Sequence, residues 1–112
     1  MNAIRNQVQL IGRLGQDPEI ITFDNGNRLA KFSLATDDSY KDKQGEKVER
    51  TQWHNVIVQG GLVQIVESYV NKGKEIAVQG KITNRSYQDK EGNTRYITEV
   101  VCNELLLLGP KV

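Results

Sequence analysis

The segment that decides the fold is TQWHNVIVQGGLVQIVESYVNKGKEIAVQG, residues 51–80. Residues 51–59 predict a strand, because the two valines fall on one face and the tryptophan falls on the other. Residues 62–70 carry apolar side chains at helical spacing and predict a short helix. Alternation resumes at Glu75 and predicts another strand. A short helix between two strands is therefore the central feature of the chain.

The apolar stripe of this helix has the spacing i, i+3, i+4, i+7 and i+8. It consists of Leu62, Ile65, Val66, Tyr69 and Val70. We expect this stripe, including Tyr69, to face the core. Asn71-Lys72-Gly73 supplies a helix stop, with glycine where a left-handed cap is favourable.

Strand patterns continue outward in both directions and are separated by turn signals. They cover residues 8–14, 29–36, 51–59, 75–87 and 94–108, with a short extended piece at 20–23. Three strands, a short helix and two more strands follow the order of an OB-fold. We therefore predict an all-β fold, an OB-fold five-stranded barrel with one short helix between strands 3 and 4. Residues 1–112 are expected to form this single domain.

Composition limits the function classes. The chain has 112 residues and a net charge of +1, from 15 basic and 14 acidic residues. The composition therefore lacks the strong basicity that is typical of nucleic-acid-binding proteins. No apolar run approaches the roughly 20 residues that a membrane span needs, and no signal peptide is evident. We expect a cytoplasmic protein. Cys102, the only cysteine, is expected to be buried in a strand without a disulfide partner.

The sequence offers little for catalysis. The single histidine and single cysteine have no metal-ligand spacing, and no glycine-rich run matches a phosphate loop. We predict that the chain is not an enzyme and has no metal or cofactor. His54 has the strand parity of the inward valines, which favours a position at the core edge or at a subunit contact.

The outer strand faces carry aromatic and basic groups opposite the predicted core. Trp53 lies on one such face, Lys31 on a second, and Lys81, Arg85 and Tyr87 on a third. OB-folds bind oligonucleotides across their strands and loops, where bases stack on aromatic rings. The alternative is that Trp53 packs against a neighbour while Tyr40 and Tyr87 only lie at the roots of loops. Residues 41–50 are either a solvated hairpin tip or a mobile arm that closes over DNA.

Five motifs resemble bacterial and organellar single-stranded DNA-binding proteins, in one register over nearly the whole chain. They are LGQDPE at 14–19, LAT at 34–36, TQWH at 51–54, YVNKG at 69–73 and RYITEVV at 95–101. The resemblance implies a homotetramer that wraps single-stranded DNA, without sequence specificity, in DNA replication, recombination and repair. It also implies association with the nucleoid.

The resemblance assigns the stacking role to Tyr40, Trp53 and Tyr87. A fourth aromatic of the family falls on Gln59, which cannot stack in the same way. Positions that match family phosphate contacts are Lys43, Lys72 and Arg85. Strand parity and loop position add further candidates, which are Lys31, Lys41, Lys47, Arg50 and Lys81. The histidine at the family's subunit contact falls on His54.

Many bacterial members carry an acidic tail that recruits repair enzymes, whereas this chain stops at residues 109–112. Either the sequence is truncated or it belongs to a member without a tail, and in both cases we expect this chain not to recruit repair enzymes through one. Two other functions remain open at this stage. One is an OB-fold scaffold that mainly binds protein, for which Gln59 is the best support. The other is a substrate-binding module of a larger nucleic-acid enzyme.

Overall fold

The structure is a computed structural model, and it describes residues 3–109. A 3-10 turn at Ala3–Asn6 precedes the first strand. The strands are β1 Val8–Leu14, β2 Glu19–Thr22, β3 Arg28–Asp37, β4 Tyr40–Lys41, β5 Lys47–Val48, β6 Thr51–Gln59, β7 Glu75–Gln88 and β8 Thr94–Leu107, with helix α1 Leu62–Tyr69 between β6 and β7. All five predicted long strands are therefore present, and the helix lies where it was predicted.

Five strands form a closed ring in the order β1-β7-β8-β6-β3, and β1 returns to β3 to close it. The closing contact is short and pairs Arg13 with Ala35 and Leu14 with Leu34. Only β6 and β8 run parallel; every other pair in the ring is antiparallel. This ring confirms the predicted five-stranded barrel with a helix between its third and fourth long strands.

Two glycines let strands approach closely where the ring bends. A Cβ at Gly12 would collide with the backbone carbonyl of Ala35, at the point where β1 meets β3. A Cβ at Gly80 would collide with the carbonyl of Val101, beside a bulge in the β7–β8 ladder. Glycine at these positions allows the backbone contacts that close and curve the barrel.

The core fills the ring with alternate residues of each strand and is covered at one end by α1. Its buried side chains are Leu14, Ala30, Phe32, Leu34, Val56, Val58, Val63, Val66, Val70, Ile76, Val78, Val100 and Cys102. Burial of Cys102 agrees with the prediction, and desolvation raises the pKa of its thiol. The thiol therefore remains protonated at neutral pH.

The predicted helical stripe was correct for Val66 and Val70, which are buried, and for Leu62, which packs against the core, but it was wrong for Ile65 and Tyr69. Tyr69 is 64% exposed and Ile65 also faces solvent, whereas Val63 and Val66 are buried. The helix has apolar residues on more than one side, and the set Val63, Val66 and Val70 at i, i+3 and i+7 is the one that meets the barrel. This set is smaller than the predicted stripe, and small side chains bring the helix closer to the strands.

Candidate nucleic-acid interface

The outer face of β3 and β6 is the surface on which predicted binding residues meet. The two strands pair along nine positions, from Leu29 opposite Gln59 to Asp37 opposite Thr51. Even-numbered residues near their centres are buried, so the odd-numbered residues point outward. Lys31 then lies beside Ile57, and Ser33 lies beside Asn55.

Trp53 stands at one end of this face and is 60% exposed. Its indole lies against Gly15 in the loop after β1, since a Cβ at Gly15 would be 2.5 Å from Cζ3 and 2.7 Å from Cη2. The indole is therefore supported by backbone and still leaves most of its surface open. This geometry favours a stacking platform over the alternative that Trp53 is packed away against a neighbour.

A shallow groove of about 260 Å³ continues from this face toward β8 and the loop after β1. It is lined by Gln16, Asp17, Glu19, Lys31, Phe32, Ser33, Asn55, Val56, Ile57, Ile97 and Glu99. Its lining mixes amide, hydroxyl and apolar groups with four charged side chains, of which three are acidic and one is basic. The apolar and amide groups suit the face and edges of a nucleobase.

Glu99 lies in this groove and was not singled out from the sequence. It is only 2% exposed, although it pairs in register with the outward Asn55. Both of its oxygens accept hydrogen bonds from Arg85, at 2.8 Å from Nε and 3.3 Å from Nη2. These hydrogen bonds, together with the charge of Glu99, raise the pKa of the Arg85 guanidinium above its usual value. Arg85 is therefore charged, but most of its charge is balanced by Glu99.

The charged segment 41–50 forms a hairpin made of β4 and β5, next to the end of β3 and β6 where Trp53 lies. Tyr40 is 48% exposed, and the guanidinium carbon of Arg50 lies 5.4 Å from its ring centroid. Arg50 also pairs with Asp38 at 2.8 Å. Arg50 thus holds Tyr40 by a cation–π contact while it is itself held at the hairpin base. Lys41, Lys43 and Lys47 are exposed on the same hairpin.

Two aspartates fix the base of this hairpin. Asp37 accepts hydrogen bonds from the hydroxyl and backbone N–H of Ser39, at 2.6 and 2.9 Å, and these lower its pKa. The pKa of Asp38 is lowered as well, first by its hydrogen bond with Arg50 and then by that with Gln52. Both carboxylates are therefore ionised well below neutral pH, and they anchor the hairpin in that form.

Tyr87 lies in a two-stranded arm, where β7 and β8 continue past the last residue that β1 pairs with, Gly80. It is 46% exposed and sits opposite Arg95 in the ladder. Arg95 pairs with Asp89 at 3.0 Å, and the pKa of Asp89 is lowered first by this hydrogen bond. Lys81 is exposed at the root of the arm, on the outer side of β7.

Lys72 and His54 lie apart from these groups. Lys72 follows α1, and its backbone N–H donates to Oδ1 of Asp17 at 2.8 Å, which ties the loop after β1 to the end of the helix. The half-buried imidazole of His54 has Nε2 3.0 Å from Oγ1 of Thr36. Its position at the core edge agrees with the strand parity, and its role in a subunit contact stays a prediction.

The structure therefore groups the predicted DNA-binding residues, except Lys72, on three neighbouring elements. The β3–β6 face has Trp53 and Lys31, the β4–β5 hairpin has Tyr40 with its basic residues, and the β7–β8 arm has Tyr87 with Arg85 and Lys81. Within residues 3–109, no group of three or more His, Cys, Asp or Glu side chains could hold a metal ion. No helix in the same range is long and apolar enough to cross a membrane.

Residues 5–108 match the single-strand binding protein family. The chain belongs to this family. Its relatives include single-stranded DNA-binding protein 1 of Xylella fastidiosa, which is 46% identical over 95% of this chain and 79% of its own length. The single-stranded DNA-binding protein of Bacteroides thetaiotaomicron is 45% identical over 95% of this chain and 67% of its own length.

The fold is also similar to that of a solved single-strand binding protein. A Plasmodium falciparum SSB, solved in complex with ssDNA, superposes with a TM-score of 0.86 at 31% identity, over 93% of this chain and 95% of that one. The family and the OB-fold predicted from the sequence are thereby confirmed. Membership in a family of binding proteins also confirms the prediction that the chain is not an enzyme.

Proposed function

We propose that this chain binds single-stranded DNA without sequence preference and coats it during replication, recombination and repair. The observation that carries this proposal is Trp53, which is 60% exposed on the outer sheet face of a member of this family and is supported from below by Gly15. Every base has an apolar π-face, so a stacking platform of this kind accepts all four bases. Tyr40 and Tyr87 would extend the stacking path onto the hairpin and the arm.

The proposed phosphate contacts divide into two classes by their existing partners. Within the described residues, Arg50 and Arg85 pair with Asp38 and Glu99, and Lys47 lies 3.8 Å from Glu49. The five other candidates have no ion pair within the described part of the chain, and they are Lys31, Lys41, Lys43, Lys72 and Lys81. We expect these five lysines to supply most of the counterion release, because their charge is not already balanced.

The proposed assembly is a homotetramer. Ile11 and Leu106 are 51% and 62% exposed, and both flank Ala77 in the ladder across β1, β7 and β8. This apolar strip lies on the outside of the barrel beside a β1 edge that pairs with β3 only at its last two residues. Such a strip and such an edge suit burial against another copy. His54 would contribute to a further contact, and the assembly would act on the nucleoid in the cytoplasm.

The test is a fluorescence titration of Trp53, the only tryptophan, with oligo(dT) at two salt concentrations. We expect strong quenching, and log affinity should fall with log salt at about 0.7 per phosphate neutralised. The Trp53→Ala variant has no tryptophan, so its affinity must be measured by an independent binding assay. We expect it to bind about 1–3 kcal/mol more weakly. Absence of binding to long oligo(dT) at low salt would overturn the proposal. Binding of a protein partner by the same chain would then favour the scaffold function.

A further inference from the structure

The outer face does not end at Gln59. Beyond it lies a second groove of about 520 Å³, formed by Phe23, Asn27, Arg28, Leu29, Gln59 and Gly60. Gln59 belongs both to this groove and to the outward row of β6 that starts at Trp53. The row is about 20 Å long, because Gln59 follows Trp53 by six steps along the strand at about 3.3 Å each. The two grooves therefore lie along one continuous surface of the barrel.

Phe23 is the aromatic residue of this second groove. It follows β2, in which Glu19 pairs with Lys31 and Ile21 pairs with Leu29. The odd-numbered residues of β2 therefore share the outer face with those of β3. The ring of Phe23 is 49% exposed and does not belong to the core. An aromatic ring half open to solvent, on the same face as Trp53, has the placement of a base-stacking platform.

The backbone holds Phe23 in place. Its N–H donates to the carbonyl of Asn27 at 2.8 Å, and its own carbonyl accepts from Gly26 at 2.9 Å. Gly26 has φ of 90°, so glycine permits the turn that places these groups. The ring is therefore presented by a hydrogen-bonded turn, which reduces the conformational entropy that binding would otherwise cost.

Charge near Phe23 is largely balanced. Arg28 pairs with Glu67 across the groove edge at 2.6 Å, and Asp24 follows Phe23 directly. This end of the surface therefore offers little net positive charge for a phosphate. Its contribution to DNA binding must come from stacking and from the amide groups of Asn27 and Gln59.

We propose that Phe23 is a further stacking residue for single-stranded DNA, which extends the binding path from Trp53 past Gln59 to the turn after β2. This inference rests on the proposed function. It assigns Phe23 a contribution that does not depend on salt, because stacking releases no counterions.

The first test compares Phe23→Ala and Phe23→Leu with the unsubstituted protein on long oligo(dT) over a range of salt. Leucine keeps apolar cover on the strands but has no ring. Both variants should bind about 5- to 150-fold more weakly, with the slope of log affinity against log salt unchanged. Tyr69→Ala is the matched control, because Tyr69 is an exposed aromatic on α1 that does not line this groove. It should bind like the unsubstituted protein.

The second test uses Phe23→Trp with Trp53→Phe, which moves the only tryptophan to position 23. Quenching of this tryptophan by oligo(dT) supports the proposal. An unchanged emission, together with normal affinity of both Phe23 variants, overturns the proposal for Phe23. In that case, quenching of Trp53 in the unsubstituted protein would still support the proposed function. A change of molar mass in Phe23→Leu would also overturn it, because the ring would then be a subunit contact. If the unsubstituted protein does not bind oligo(dT), the proposed function itself fails.

Discussion

Glu99, in the groove on the outer face of β3 and β6, forms an ion pair with Arg85. A carboxylate that is 2% exposed needs a compensating partner, and Arg85 supplies two hydrogen bonds to it. Arg85, which matches a phosphate-contact position of the family, is thus also required to neutralise the buried Glu99. We expect its primary effect on DNA binding to be the positioning of the groove.

Replacement of Arg85 by alanine should lower the free energy of unfolding, since it leaves Glu99 buried and unpaired. The expected loss is modest, because the Arg85 side chain is half exposed and water partly replaces it. Urea denaturation measures this effect. The double variant with Glu99→Gln should recover much of the loss, because no buried charge remains. Strictly additive losses in the two single variants would show that the pair is not coupled.

Gly15 controls the position of the Trp53 indole. An alanine Cβ at this position would overlap two ring atoms, so the indole must move. We expect Gly15→Ala to shift the tryptophan emission of the free protein and to weaken oligo(dT) binding by up to about 1–3 kcal/mol, the worth of one stacked base. Gly61→Ala is a suitable control, because that glycine has φ of −64° and no neighbour within 4 Å of an added Cβ. Equal affinity in the two variants would contradict a positioning role.

At the scale of elements, the β4–β5 hairpin depends on ionised aspartates at its base. The pKa values of Asp37 and Asp38 are lowered in the folded protein, so their stabilising effect is complete above the ordinary carboxyl pKa of 3.8. It is lost as pH falls below that value and through the lowered pKa of each group. The hairpin should therefore loosen in acid before the barrel unfolds.

Amide hydrogen exchange provides the measurement for this prediction. Protection factors of residues 38–50 should be high at about pH 5 and lower at about pH 3, below the ordinary carboxyl pKa of 3.8, while those of the barrel strands stay high. Asp38→Asn should reproduce part of the acid effect at the higher pH, because it removes the charge that pairs with Arg50. A hairpin equally protected at both pH values would contradict the proposed anchoring.

Elements whose two sides differ in polarity were predictable, and elements with similar sides were not. In β3 and β6 the alternation fixed both the bounds and the outward row, because one side of each strand fills the barrel. In β8 both sides are mixed, so periodicity could not reveal that Val100 and Cys102 point inward and Glu99 outward. The buried face of α1 was predicted incorrectly at Ile65 and Tyr69 for the same reason. Tyr69 and Val63 both fit a helical stripe, and only packing against the strands decides between them.

The candidate site was predictable as a set of residues but not as a set of contacts. Outward aromatic and basic positions follow from strand parity. The pairing of Arg85 with Glu99, the contact of Trp53 with Gly15 and the groove that contains Phe23 join distant parts of the chain. Such contacts arise only when the barrel closes, because no local pattern records which outer residues become neighbours.

At the scale of the whole molecule, the apolar strip across β1, β7 and β8 should mediate assembly. Leu106→Asp places a charge in the strip opposite Ala77, and this charge would be buried in a subunit contact. We expect a lower molar mass by light scattering, with the barrel still folded. Ile65→Asp, an exposed apolar position on α1, is the control and should leave the mass unchanged. An unchanged mass for Leu106→Asp would exclude the strip as an interface.

The position of β8 in the ring has a consequence for biosynthesis. This strand is the last of the described elements to be made, yet it lies between β6 and β7. Until it leaves the ribosome, both of those strands present a free edge, and the ring cannot close. A nascent chain that has already produced its proposed stacking aromatics up to Tyr87 is therefore still an open sheet, prone to pair with other chains. Delay or premature termination within residues 94–107 should send this protein to chaperones or proteases.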